Sequence, residues 1–356
     1  MSKTRVLVVE DSLTVRQRLL EVLRSDPDLE VVGDAGDGRT AIELCEKLRP
    51  DIITLDMMLP VMTGLAATEH IMAFCPTPIL IVSSSTNRGE LFKTYQALAA
   101  GAVEVLEKPR GDEGEGVWER DFLRLVKLVA RIKVITHPRA RLSLSRGDSV
   151  RAPQTASPGG RARCVAIGAS TGGPAAVARV LQSLPADFPV PILLVIHIGA
   201  IFASGLAEWL DTQSPLRVVH AKHGEPLPPP GEGRVLMAPP DRHLVVRRGA
   251  IELVSGAERH SCRPSIDVLF ESLAVENGAQ VVACLLTGMG RDGAAGLLAL
   301  RQAGGTTIAQ DEATSVIYGM PREAVVLGAA QEVLPLDRIG PALVAATTRR
   351  GSHRPI

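Results

Sequence analysis

The chain has 356 residues, of which 46% are hydrophobic and only 3% aromatic, and its 39 basic residues balance 39 acidic ones. That length predicts two domains, and the scarcity of aromatics means cores of Val, Leu, Ile and Ala, which favours buried parallel strands over an aromatic-rich sandwich. The balanced charge argues against a nucleic-acid or anionic-membrane surface, and no apolar stretch reaches the ~20 residues of a membrane span.

Met1 to Thr4 lead into a strand without a signal-peptide pattern, so a cytoplasmic protein is expected. Cys45, Cys75, Cys164, Cys262 and Cys284 are scattered with no C-x-x-C pair. This argues against a disulfide framework or a zinc site and fits a reducing compartment.

In chain order, apolar runs at Val6–Val9, Val31–Gly33, Ile52–Leu55, Ile79–Val82 and Val103–Leu106 alternate with amphipathic stretches. Such alternation predicts a doubly wound parallel sheet, a (βα)5 unit over residues 1–125. Ligands in such sheets bind outside the carboxyl ends of the strands. Glu10 and Asp11 follow the first run, Asp56 the third, Ser83 and Ser84 the fourth, and Lys108 the fifth. Carboxylates gathered there repel unless a cation or a proton relieves them, and an oxygen-rich pocket suits Mg²⁺. Asp56 can then act as a nucleophile on a phosphoryl group whose oxygens Lys108 and the metal neutralise.

Over about residues 4–125 these features resemble the response-regulator receiver family. The resemblance implies that Asp56 is the phospho-acceptor and that Glu10, Asp11 and Asp56 hold the metal. It also implies that Ser83 and Lys108 contact the phosphoryl group. Val105 stands three residues before Lys108, where the family often carries an aromatic residue.

Between Lys127 and Arg163 nine basic residues face one acid, Asp148, among several Ser and Pro. This composition predicts a basic flexible linker over residues 126–162.

A second alternation runs through Cys164–Ile167, Ile192–Ile196, Arg217–Val219, Val281–Leu286 and Thr306–Ala309. Two β-rich runs within His243–Val254 surround Arg248, Gly249 and Ala250 and predict a hairpin. The expectation is therefore a mostly parallel α/β domain with an added hairpin over residues 163–347, then a tail at 348–356.

Gly168-Ala-Ser170-Thr-Gly-Gly-Pro174 reads as a glycine-rich turn between a strand and a helix start. Its exposed backbone N–H groups and helix dipole suit negative charge. By itself the segment leaves three roles open: a serine nucleophile, an anion-cradling loop and a helix cap. His197 ends the Ile192–Ile196 run, and Thr287-Gly-Met289-Gly-Arg-Asp292 follows the Val281–Leu286 run. A parallel sheet brings all three segments to one edge, where Ser, His and Asp could meet. His220, His223, His243 and His260 compete as the base, and Asp267 and Asp311 as the acid. Cys164 and Cys284 read as packing residues inside strands.

Together these segments resemble the chemotaxis protein-glutamate methylesterases, the CheB family. Ala238–Leu244, Arg263–Phe270, Ala309–Ala313 and Tyr318–Glu323 extend the match over roughly residues 163–346. The resemblance implies a Ser170 nucleophile, a His197 base, an orienting Asp292 and an oxyanion donor at Met289. It further implies phosphorylation-activated hydrolysis of glutamate γ-methyl esters on chemoreceptors, possible glutamine deamidation, and a CheA-type histidine kinase as phosphodonor. In the family the unphosphorylated receiver restricts the catalytic edge. One departure concerns the base: the family usually reads Gln-His-Met-Pro where this chain reads Ile196-His197-Ile198-Gly199. That departure raises an alternative, a phospho-switched binding protein with weak or no esterase activity.

Overall fold

The computed structural model describes residues 3–84, 87–109, 116–132, 134 and 162–348, and the chain divides into two units, Met1–Val150 and Arg151–Ile356. The linker expected at 126–162 and the tail at 348–356 fall largely outside the described residues.

The first unit holds β1 (Thr4–Val9), β2 (Leu29–Ala35), β3 (Ile52–Leu55), β4 (Ile79–Ser83) and β5 (Glu104–Glu107), ordered β2-β1-β3-β4-β5. All four pairings are parallel. Helices Leu13–Ser25, Gly38–Leu48, Gly64–Phe74, Arg88–Ala100 and Val117–Val129 connect or follow the strands. In β3 and β4 every residue is buried, because helices cover both faces of a parallel sheet. Each Val, Leu or Ile buried there contributes roughly 1.5–3 kcal/mol relative to exposure.

The second unit holds a seven-stranded parallel sheet ordered β14-β13-β12-β6-β7-β9-β8. Its strands are β6 (Cys164–Ala169), β7 (Ile192–Ile196), β8 (Arg217–His220), β9 (Arg234–Met237), β12 (Val281–Leu285), β13 (Thr306–Gln310) and β14 (Glu332–Leu334). The hairpin is β10 (His243–Arg247) paired antiparallel with β11 (Ala250–Val254). Arg248 (φ 52°) and Gly249 (φ 72°) form its turn in the left-handed region, which matches the twist of the flanking strands. Two strands were not anticipated from sequence, β9 and β14. They have four and three residues, too few to show a period, and β9 follows a Pro- and Gly-rich stretch.

In both sheets the first strand of the unit lies between later strands on either side: β1 between β2 and β3, and β6 between β12 and β7. The connections leave in opposite directions there and open a crevice at the carboxyl ends. The candidate residues of each unit stand at or after the carboxyl ends of its strands.

Candidate functional site

Ser170 follows β6 directly, and its N–H donates to the Thr287 carbonyl (3.0 Å) at the end of β12. His197 follows β7, and its N–H donates to the Ala169 carbonyl (3.0 Å), so Ser170 and His197 stand at adjacent strand ends. Gly172 has φ 75° and opens the helix Gly173–Gln182, a turn that favours glycine. Across from it the Thr287 hydroxyl donates to the Thr171 carbonyl (3.0 Å) and accepts from the Ile317 N–H (2.9 Å). The Gln310 side chain accepts from the Thr287 N–H (2.8 Å), which fixes the start of the Gly288 turn. A Cβ at Gly288 would lie 2.7 Å from that of Ser170, so glycine is what permits the two turns to touch. Met289 comes next, with a half-exposed side chain, and its N–H makes no hydrogen bond among the described residues.

Asp292 is buried at the N-terminus of helix Ile266–Asn277. One carboxylate oxygen accepts from the Ser265 hydroxyl (2.8 Å) and the Asp267 N–H (3.1 Å), and the other from the Ile266 N–H (2.7 Å) and His197 Nε2 (2.9 Å). Burial opposes the charge, but His197 with the Ile266 and Ser265 donors outweighs it and holds Asp292 below its usual range. An ionised carboxylate only accepts, so His197 must carry its proton on Nε2, and the neutral ring presents a lone pair at Nδ1. Nδ1 is thus the nitrogen able to take a proton. Burial also opposes the imidazolium, yet Asp292 and then Cys262 raise His197 from 6.5 to about 9.

The sign of that shift gives two expectations. The folded pKa lies above the free one, so the pair contributes stability that is full below about 6.5 and lost as pH rises through about 9. A base must be neutral, so hydrolysis dependent on His197 should climb with pH through a midpoint near 9. The Asp292→Asn variant should move that midpoint down toward 6.5, read from kcat/KM against pH.

All of the competing histidines and acids but His220 are engaged elsewhere. His243 is buried between the Ala257 carbonyl (3.0 Å) and the Ser265 N–H (3.1 Å). His223 accepts from the Leu253 N–H (3.1 Å). His260 meets Asp267 (3.1 Å), whose other oxygen accepts from the Gly296 N–H (2.7 Å). Asp311 caps the turn at Thr314 (3.0 Å). His220 ends β8, and neither ring nitrogen has a hydrogen-bond partner among the described residues. Cys164 and Cys284 are buried within strands, and burial raises both thiols.

Two features at this edge were missed from sequence. One is the cradle of Ser265, Ile266 and Asp267 beneath Asp292, whose donors are mostly backbone and leave no residue signature. The other is Cys262, whose Sγ lies 3.5 Å from His197 Nδ1. Ile196, Ile198, Ala203 and Pro240 line a recess at the same edge together with the charged Asp241 and Arg263.

In the first unit, ligand oxygens of Glu10, Asp11 and Asp56 lie within 4.8 Å of one another. Lys108 Nζ bridges Glu10 (2.8 Å) and Asp56 (3.0 Å), both buried. Burial pushes Glu10 up to about 7 against the pull of Lys108, so the cluster resists full ionisation by itself. Ser83 Oγ is buried with no hydrogen-bond partner among the described residues. Val105 is buried in β5. Three carboxylates, a lysine and an unspent hydroxyl form a pocket suited to a hard divalent cation and an anionic oxygen-rich group.

Comparisons with known proteins give the family of each unit. A family described as CheB methylesterase matches residues 165–343, and the response regulator receiver domain matches residues 6–114. A protein-glutamate methylesterase/protein-glutamine glutaminase of Nitrosospira multiformis is 45% identical, covering 98% of each chain. One of the same name (number 2) from Pseudomonas aeruginosa is 44% identical, again covering 98% of each. The crystal structure of the Thermotoga maritima CheB methylesterase catalytic domain is 36% identical, with a TM-score of 0.49, covering 52% of this chain and 98% of that one.

Proposed function

This chain belongs to the CheB family, a response-regulator receiver joined to a methylesterase domain, and we propose that it hydrolyses glutamate γ-methyl esters on chemoreceptors, releasing methanol. The observation that carries the proposal is the 2.9 Å hydrogen bond from His197 Nε2 to a fully occupied Asp292, at the strand end next to Ser170.

In this mechanism His197 Nδ1 takes the Ser170 proton as Oγ attacks the ester carbonyl. The oxyanion is met by backbone donors of the Gly288 turn, including the Met289 N–H, and one such donor is worth roughly 100- to 1000-fold in rate. The imidazolium returns its proton to the departing methoxide, and methanol leaves. Water then gives one proton to Nδ1 as its oxygen attacks the acyl carbon. Ser170 takes that proton from the imidazolium as the acyl bond breaks, and the glutamic acid released loses its own proton to solvent as the carboxylate. With a glutamine amide the same steps release ammonia.

The receiver supplies control. Asp56 would take a phosphoryl group from a CheA-type histidine kinase, with Ser83 and Lys108 on its oxygens. Glu10, Asp11 and Asp56 fit Mg²⁺ by their oxygen donors, and the Ser83 hydroxyl at the end of β4 has no hydrogen-bond partner among the described residues. The ion would neutralise charge on the transferred group. Phosphorylation must favour the active state by about 1.4 kcal/mol for each tenfold gain. Among the described residues no helix is long and apolar enough to cross a membrane. A cytoplasmic site of action on receptor tails, without nucleic acid, completes the proposal.

The alternative, a phospho-switched binding protein, is favoured only by Ile196, Ile198 and Gly199 around the base. Methanol release from methylated receptor membranes, with and without a small-molecule phosphodonor and Mg²⁺, separates the two. Release that rises with the donor is expected, and an Asp56→Asn chain should give a rate that the donor no longer changes. No release with several receptors would overturn the esterase in favour of the binding protein.

A further inference from the structure

Cys262 takes no proton or acyl group in the proposed ester chemistry, yet its Sγ stands 3.5 Å from the base nitrogen. It is the partly exposed one among the five free cysteines, the other four being buried. The turn that carries it is tight: Arg259 and Cys262 exchange backbone hydrogen bonds of 3.2 and 2.9 Å. His260 (φ 53°) and Ser261 (φ 58°) between them are both left-handed. The turn aims Sγ at His197 Nδ1, 3.5 Å away, and also places it 3.4 Å from the His260 carbonyl.

We propose that Cys262 Sγ and His197 Nδ1 form a binding site for Zn²⁺, and that zinc held there blocks the hydrolase. Three observations lead to it. First, thiolate and neutral imidazole are the ligands zinc prefers. Second, with Zn–S near 2.3 Å and Zn–N near 2.0–2.1 Å, two tetrahedral ligands stand about 3.5–3.6 Å apart, which matches the separation found here. Third, His197 donates its other ring N–H to Asp292, the carboxylate–histidine arrangement that fixes the tautomer and strengthens a metal-bound imidazole.

The ligand atoms of His197, Cys262 and Asp292 lie within 4.8 Å of one another. Asp292 already accepts four hydrogen bonds, so it supports the imidazole from behind while water fills the remaining zinc positions. Binding displaces the Cys262 thiol proton to solvent and engages the Nδ1 lone pair, leaving no acceptor for the Ser170 proton. Sequence spacing gives no hint of this site, because its two ligands are 65 positions apart.

The inhibitory consequence rests on His197 being the base; the binding site does not. The full chain is titrated with zinc against a chromophoric chelator, in excess Mg²⁺ to occupy the receiver carboxylates. The unaltered chain should bind one zinc ion whose affinity falls about tenfold or more in both Cys262→Ser and Cys262→Ala, while Ser170→Ala retains it. Cobalt in place of zinc should give a near-ultraviolet thiolate charge-transfer band in the unaltered chain that both Cys262 variants lack. Free zinc at ten times its dissociation constant should lower methanol release about tenfold, and each Cys262 variant should keep its own zinc-free rate. Equal zinc affinity with and without the Cys262 thiol would overturn the site, as would a cobalt complex without the thiolate band. A chain that releases no methanol in any condition would defeat the esterase proposal, and the zinc titration would still decide the site.

Discussion

Replacing Ser170 with alanine is expected to lower methanol release on the order of 10⁴-fold or more, since it removes the attacking oxygen. The loss should fall on kcat and leave receptor binding in place. Ser170 touches its neighbours through its backbone, donating to Thr287 and accepting from Gly173, and its hydroxyl makes no hydrogen bond among the described residues. Alanine keeps all of that, so thermal stability should change little. Residual activity within tenfold of the unaltered chain would mean that another nucleophile operates.

The Asp292→Asn variant should cost a comparable factor, about 10⁴ in kcat, for a different reason. The carboxylate fixes His197 with Nε2 protonated and Nδ1 free. An amide in its place presents an NH₂ group to a cradle built of donors: the Ile266 and Asp267 N–H groups and the Ser265 hydroxyl. One of those buried donors must lose its acceptor, at about 1–3 kcal/mol. The variant should therefore also unfold at lower denaturant, which distinguishes it from Ser170→Ala. Equal denaturation midpoints for the two variants would show that the cradle does not depend on the carboxylate charge.

Much of the architecture was legible in the sequence because a parallel sheet covered on both faces writes continuous Val, Leu and Ile runs. The five strands of the first unit and five of the seven in the second sheet announce themselves this way, and Arg248-Gly249 marks the hairpin. Strands β9 and β14 carry no such run. Ser170, His197 and Asp292 were legible as candidates because each follows a strand or its turn, and strand order turns that position into spatial proximity.

Sequence reading could not reach the groups that refine the site. The Asp292 cradle is made largely of backbone amides at a helix start, and any residue supplies those. Cys262 reaches His197 through two left-handed residues after the hairpin, a turn with no periodicity to read. The segment Arg263–Phe270 could be matched to a family without revealing that its first turn holds the acid.

The most direct test of the catalytic assignment is covalent labelling with a phosphonofluoridate probe, followed by peptide mass mapping of the full chain. One phosphonyl group is expected, on Ser170, absent in Ser170→Ala and slowed strongly in Asp292→Asn. Labelling of Cys262 instead, or an unlabelled Ser170 in a preparation that releases methanol, would contradict it.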